Sequence, residues 1–93
     1  MAPRDPNRAL VRLLARLEER SQHVTLADLE REATRRRTRV LPADGVAPLV
    51  ETAVADMLIV TDRRLFLDRA TRTLEPRSVY RVNRRHPLTR GEW

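Results

Sequence analysis

The sequence predicts an α+β fold, three helices followed by a C-terminal β-hairpin, and three observations carry that prediction. Three segments repeat apolar residues at steps of three and four, as an amphipathic helix requires. Two runs rich in β-branched and apolar residues follow, over residues 58–68 and 73–82, separated by a short polar loop. At 93 residues with no cysteine, the chain can build one core and needs neither disulfides nor a thiolate-bound zinc to do so.

The first helix is expected from Asn7, a suitable N-cap, to about Arg20, after a disordered lead-in over residues 1–6 that contains two prolines. Leu10, Leu13, Leu14 and Leu17 form its apolar stripe. Arg8, Arg12, Arg16 and Arg20 recur every four residues on the other side, as a solvated face or a ladder able to track phosphates. His23 and Val24 suit a short strand, and His23 reads as a rim residue rather than a metal ligand. Thr25 and Asp28 have the spacing of a capping box, so a second helix should start at Leu26 and bury Leu26, Leu29 and Ala33. Its acids, Asp28, Glu30 and Glu32, stand early and Arg35, Arg36 and Arg37 stand late, as the helix dipole favours.

Pro42 and Gly45 mark a turn, and Asp44 is the expected cap of a third helix over residues 44–57. Val46, Leu49, Val50, Ala53, Val54 and Met57 fall within one arc of that helix. Pro48, Glu51, Thr52 and Ala55 occupy the other, which carries no basic residue. The hairpin is expected to turn between Asp68 and Thr73 without the glycine usual at positive φ. A tight turn at Asp62-Arg63-Arg64 would instead give a meander of three short strands. Pro76 is expected to place the return strand at a sheet edge, with Val79, Tyr80 and Val82 returning to the core. Residues 84–93 read as a flexible tail ending in Trp93.

The formal charge is +6, and all 19 basic residues are arginine. A GC-rich coding sequence would explain arginine in place of lysine, but not the excess. Guanidinium groups pair bidentately with phosphate at any ordinary pH, so the balance favours a polyanion. One Phe, one Tyr and one Trp are too few for a platform on which single-stranded bases stack.

The order of helix, short strand, helix, helix and hairpin, with Thr25 opening the second helix and arginines on the hairpin, resembles the winged helix-turn-helix fold over residues 7–83. The resemblance implies a double-stranded DNA ligand, with the third helix in the major groove and the hairpin wing against the backbone or minor groove. Carried onto this sequence, the groove-facing positions are Pro48, Glu51, Thr52 and Ala55, of which only Thr52 suits a base edge. Residues 34–40 carry four arginines and no acid, residues 41–60 three acids and no arginine, and residues 61–93 nine arginines against four acids. The expected contacts are therefore phosphate contacts from Arg35, Arg36, Arg37 and Arg39 and from Arg63, Arg64, Arg69, Arg72 and Arg77 on the wing.

The expected role is that of a small transcriptional regulator or architectural factor. The alternative is a protein-interaction module, or a homodimer, using the weakly charged face of the third helix or the leucines of the first. No nucleophile and base pair, glycine-rich phosphate loop or metal-ligand spacing is present, so no enzyme and no cofactor are expected. Without an apolar run of membrane-spanning length or a signal peptide, the expectation is a soluble, cytoplasmic protein.

Overall fold

A computed structural model of the chain describes residues 5–36, 41–42 and 45–92. Helix α1 (Pro6–Glu18) starts one residue before its expected cap, Asn7. Asp5, not Asn7, holds the cap position: its Oδ1 accepts the Asn7 N–H at 2.9 Å. Pro6 then fits the first helical position, where its fixed φ suits the helix and its missing N–H would have had no partner. The helix also ends sooner than Arg20, as the N–H groups of Arg20 and Ser21 both turn back to the Leu17 carbonyl.

Strand β1 (Val24–Thr25) leads directly into α2 (Leu26–Arg36). The expected capping box forms: the Thr25 N–H donates to Asp28 Oδ2 at 3.0 Å, and the Asp28 N–H donates to Thr25 Oγ1 at 3.3 Å. Helix α3 (Ala47–Ala55) is shorter at both ends than the expected 44–57. Val46 takes the cap position, while Asp44 lies outside the described residues. Val46 has no capping side chain, and its N–H is satisfied from α2 by Glu30 Oε1 at 2.8 Å. Gly45 permits this approach, because its φ is +128° and a Cβ there would stand 3.2 Å from Glu30 Oε1. At the other end the Met57 N–H bonds the Val54 carbonyl at 3.0 Å and the Leu58 N–H bonds the Ala53 carbonyl at 2.9 Å. These two bonds are a Schellman closure, and Met57 occupies its left-handed position at φ 63°. Met57 is thereby turned out of the core arc to 67 % exposure, and Leu58 goes in instead.

Strands β2 (Ile59–Asp68) and β3 (Thr73–Val82) form one long hairpin, so the meander does not form. The three strands make an antiparallel sheet in the order β1-β3-β2. Pro76 sits on the central strand rather than the edge, but β1 pairs only with Val79 and Tyr80. From those two residues toward the tip, the far side of β3 has no strand partner among the described residues, and the missing Pro76 N–H leaves no gap in a ladder.

The core joins Leu10, Val11, Leu13 and Leu14 of α1, Leu29 of α2, Val50 and Ala53 of α3, and Val24, Ile59 and Val82 of the sheet, with Leu41, Val46 and Leu58 from the connections. All of it lies at the base of the hairpin. Ten residues of strand at about 3.3 Å each carry the hairpin roughly 33 Å, and the longest dimension of the molecule is 51 Å. Asn83 is tied to the body, its N–H and side-chain amide donating to the Leu58 and Met57 carbonyls, and beyond it a π-helical turn, Leu88–Glu92, is held to Asn83 by the Thr89 hydroxyl, which donates to the Asn83 carbonyl. No helix among the described residues is long and apolar enough to cross a membrane.

Candidate nucleic-acid interface

Strand alternation sorts the arm residues onto two faces. The register pairs Thr61 with Tyr80, Arg63 with Ser78, Leu65 with Pro76 and Leu67 with Leu74 on the face that continues the core. The opposite face carries Asp62 across from Val79, Arg64 across from Arg77, and Phe66 across from Glu75. Arg64 and Arg77 are like charges directly opposed, an arrangement that costs stability. Each is relieved by an acid two residues away on its own strand: Arg64 reaches Asp62 at 3.3 Å and Arg77 reaches Glu75 at 3.7 Å. Arg77 also lies over the Phe66 ring at 5.8 Å, and that ring meets His23 edge-on at 6.1 Å.

The turn of the arm is residues 69–72. Asp68 Oδ1 accepts the Ala70 N–H at 3.0 Å, and Arg72 takes the left-handed position at φ 57°. An aspartate-started turn thus does the work usually given to a glycine, with arginine absorbing the backbone cost. Arg63, Arg69 and Arg72 are exposed and make no ion pair with any described acid.

The arginines at the end of α2 are arranged differently. Glu32, only 5 % exposed, receives Arg36 Nε at 2.8 Å, an Arg20 guanidinium nitrogen at 3.3 Å and one from Arg35 at 3.7 Å. Arg35 and Arg36 are therefore partly committed to Glu32 of their own helix. Arg37 and Arg39 lie outside the described residues. The Arg36 hydrogen bond, together with the charges of Arg35 and Arg20, holds the Glu32 carboxyl below the ordinary carboxylate range against the opposing effect of burial. A lowered folded-state pKa contributes stability above the unfolded value and loses it as pH falls through the folded one. Glu32→Gln should therefore melt below the parent at about pH 7, and the gap should narrow at an acid pH below the ordinary carboxylate range. Thermal melts at the two pH values check this.

On α3 the face formed by Pro48, Glu51, Thr52 and Ala55 is exposed. The Thr52 hydroxyl donates back to the Pro48 carbonyl at 3.0 Å, which leaves only its lone pairs toward solvent. The leucines of α1 belong to the core, so that helix has no apolar stripe left for a partner. Two features escaped the sequence reading. Arg81 shares a face with Arg77 by the alternation of β3, is exposed, and pairs with no described acid. Glu18 closes the edge of β3 away from β2 at the base of the hairpin, accepting the Val82 N–H at 2.8 Å and pairing with Arg84 at 2.7 Å. Among the described residues no group of three or more His, Cys, Asp or Glu is placed to hold a metal ion. No protein-family model, curated protein or solved structure matches the chain.

Proposed function

We propose that this chain is a DNA-binding protein of the winged helix-turn-helix kind that grips duplex through its arm. The observation that supports this reading is the exposed set of Arg63, Arg69 and Arg72, carried away from the body and unpaired with described acids. Arg81 extends the basic surface toward the base of the arm. Charges at the end of a β-ribbon meet phosphates or enter a minor groove without any helix having to read bases. Helix α3 presents Glu51 beside Pro48, Thr52 and Ala55, a poor set for major-groove readout. Binding is therefore led by phosphates and tolerant of sequence, as suits an architectural factor better than a site-specific regulator. The open face of α3 supports a second reading, a docking surface for a protein partner, since small side chains with little charge suit close packing.

Competition separates these readings. A labelled duplex of about 20 base pairs is displaced by unlabelled duplexes of unrelated sequence, and the midpoints are expected to agree within roughly threefold. A single competitor preferred by roughly a thousandfold would contradict the phosphate-led mechanism. Absence of any binding at low salt would remove the DNA reading.

A further inference from the structure

We infer that the free edge of β2 pairs with β2 of a second copy, antiparallel, about a two-fold axis passing beside Phe66. The inference stands apart from the nucleic-acid reading and holds or fails without it.

The backbone shows which groups are free. The Asn83 N–H donates to the Leu58 carbonyl at 3.0 Å. Stepping by two along the register, the hydrogen-bonded pairs of the hairpin include Arg77 with Arg64 and Glu75 with Phe66, and alternate pairs are not bonded. Two independent observations agree with this phase. Pro76, opposite Leu65, has no N–H to give, and the Val82 N–H, opposite Ile59, goes to Glu18. Thr61, Arg63, Leu65 and Leu67 therefore turn their N–H and C=O groups away from β3. With the sheet order β1-β3-β2, no described strand receives them, although the Arg63 N–H already donates to Asp62 Oδ1 at 2.8 Å. An exposed edge of this length is a template for strand addition.

The side chains select the occupant and the register. With Phe66 opposite Phe66, Leu65 of each copy lies opposite Leu67 of the other, and both belong to the set whose backbone faces outward. Leu65 and Leu67 are 66 % and 60 % exposed, and Leu74 on the neighbouring strand is 61 % exposed. The pairing aligns Leu74, Leu67, Leu65 and Pro76 across four strands, and does so twice. On the other face it sets Arg64 of each copy opposite Asp68 of the other, one carboxylate oxygen of Asp68 being held by the Ala70 N–H. Slipping the register toward the body opposes Asp62 to Asp68 at the first step and Arg64 to Arg64 at the second, and every such slip parts Leu65 from Leu67. Slipping it toward the tip loses the Leu65–Leu67 contacts. The register with Phe66 opposite Phe66 also sets Arg63 of each copy against Arg69 of the other, a like-charge opposition at the solvent-exposed end of the overlap, and it is the one at which Leu65 meets Leu67 and Arg64 meets Asp68 together. The short overlap makes a weak association.

The absence of native cysteine makes disulfide trapping clean. In Phe66→Cys the two thiols face each other in a pair that is not hydrogen-bonded, with Cα atoms about 4.5 Å apart, inside the range a disulfide spans. In Arg64→Cys the equivalent atoms are separated by four residues of offset, roughly 14 Å. Under a mild thiol oxidant, Phe66→Cys is expected to give covalent dimer and Arg64→Cys to remain monomeric. Sedimentation equilibrium of the parent at about 10 to about 500 μM should show mass rising toward that of two chains. Leu67→Pro removes one outward N–H and spares the hairpin ladder, so it should remain monomeric with a near-parental circular dichroism spectrum. A monomeric parent across that range, equal cross-linking at both positions, or a dimeric Leu67→Pro would each overturn the inference.

Discussion

Replacing Arg63, Arg69 and Arg72 together by alanine is expected to weaken duplex binding by about tenfold or more at low salt, and to flatten its salt dependence. Each guanidinium that neutralises a phosphate releases counterions and adds about 0.9 to the slope of log affinity against log salt, so losing three removes about 2.7. The three side chains are exposed and unpaired with described acids, and none contributes to the core. The variant should therefore fold as the parent does, and circular dichroism checks that in the same samples. The matching replacement of Arg64 and Arg77 is expected to matter less. Both already face an acid on their own strand, at 3.3 and 3.7 Å, which offsets part of each charge. Anisotropy titrations of parent and both variants at several salt concentrations decide between these outcomes.

Leu14→Ala is expected to cost about 3 kcal/mol, with a range of roughly 2 to 5 set by how far the cavity can collapse. Leu14 is fully buried on α1, the helix that packs on α2, α3 and β3 at once. A cavity there has rigid walls on several sides and little room to relax. Since a domain of this size is held by roughly 5 to 15 kcal/mol, the variant should lose a substantial share of its stability. Urea denaturation checks this, with a loss below about 1 kcal/mol contradicting the packing described.

The parts of the fold legible in the sequence were those fixed by local rules. The hairpin bounds follow from β-branched runs that stop at Asp68 and resume at Thr73, and the Thr25 and Asp28 box follows from spacing alone. Helix ends were less legible. Met57 continues the three-and-four repeat of α3, yet a Schellman closure removes it from the helix, and no glycine marks the position. Contacts made across long stretches of chain were not legible at all. Glu30 capping α3 and Glu18 closing β3 reach 16 and 64 residues along the sequence. The candidate site was read in part. Glu32 stands three and four residues before Arg35 and Arg36, the spacing of helical ion pairs, so their partial neutralisation was written in the chain while the excess of arginine drew attention to charge. What the sequence did not disclose was burial of Glu32, which recruits Arg20 from the turn after α1 as a third partner.

The central claim is that the arm holds duplex by charge, and the salt dependence of parental affinity tests it most directly. Three arm contacts predict a slope near −2.7 or steeper, so affinity for a short duplex should fall about fortyfold between about 50 and about 200 mM salt. An affinity that stays level across that range, or no binding at its low end, would contradict the account.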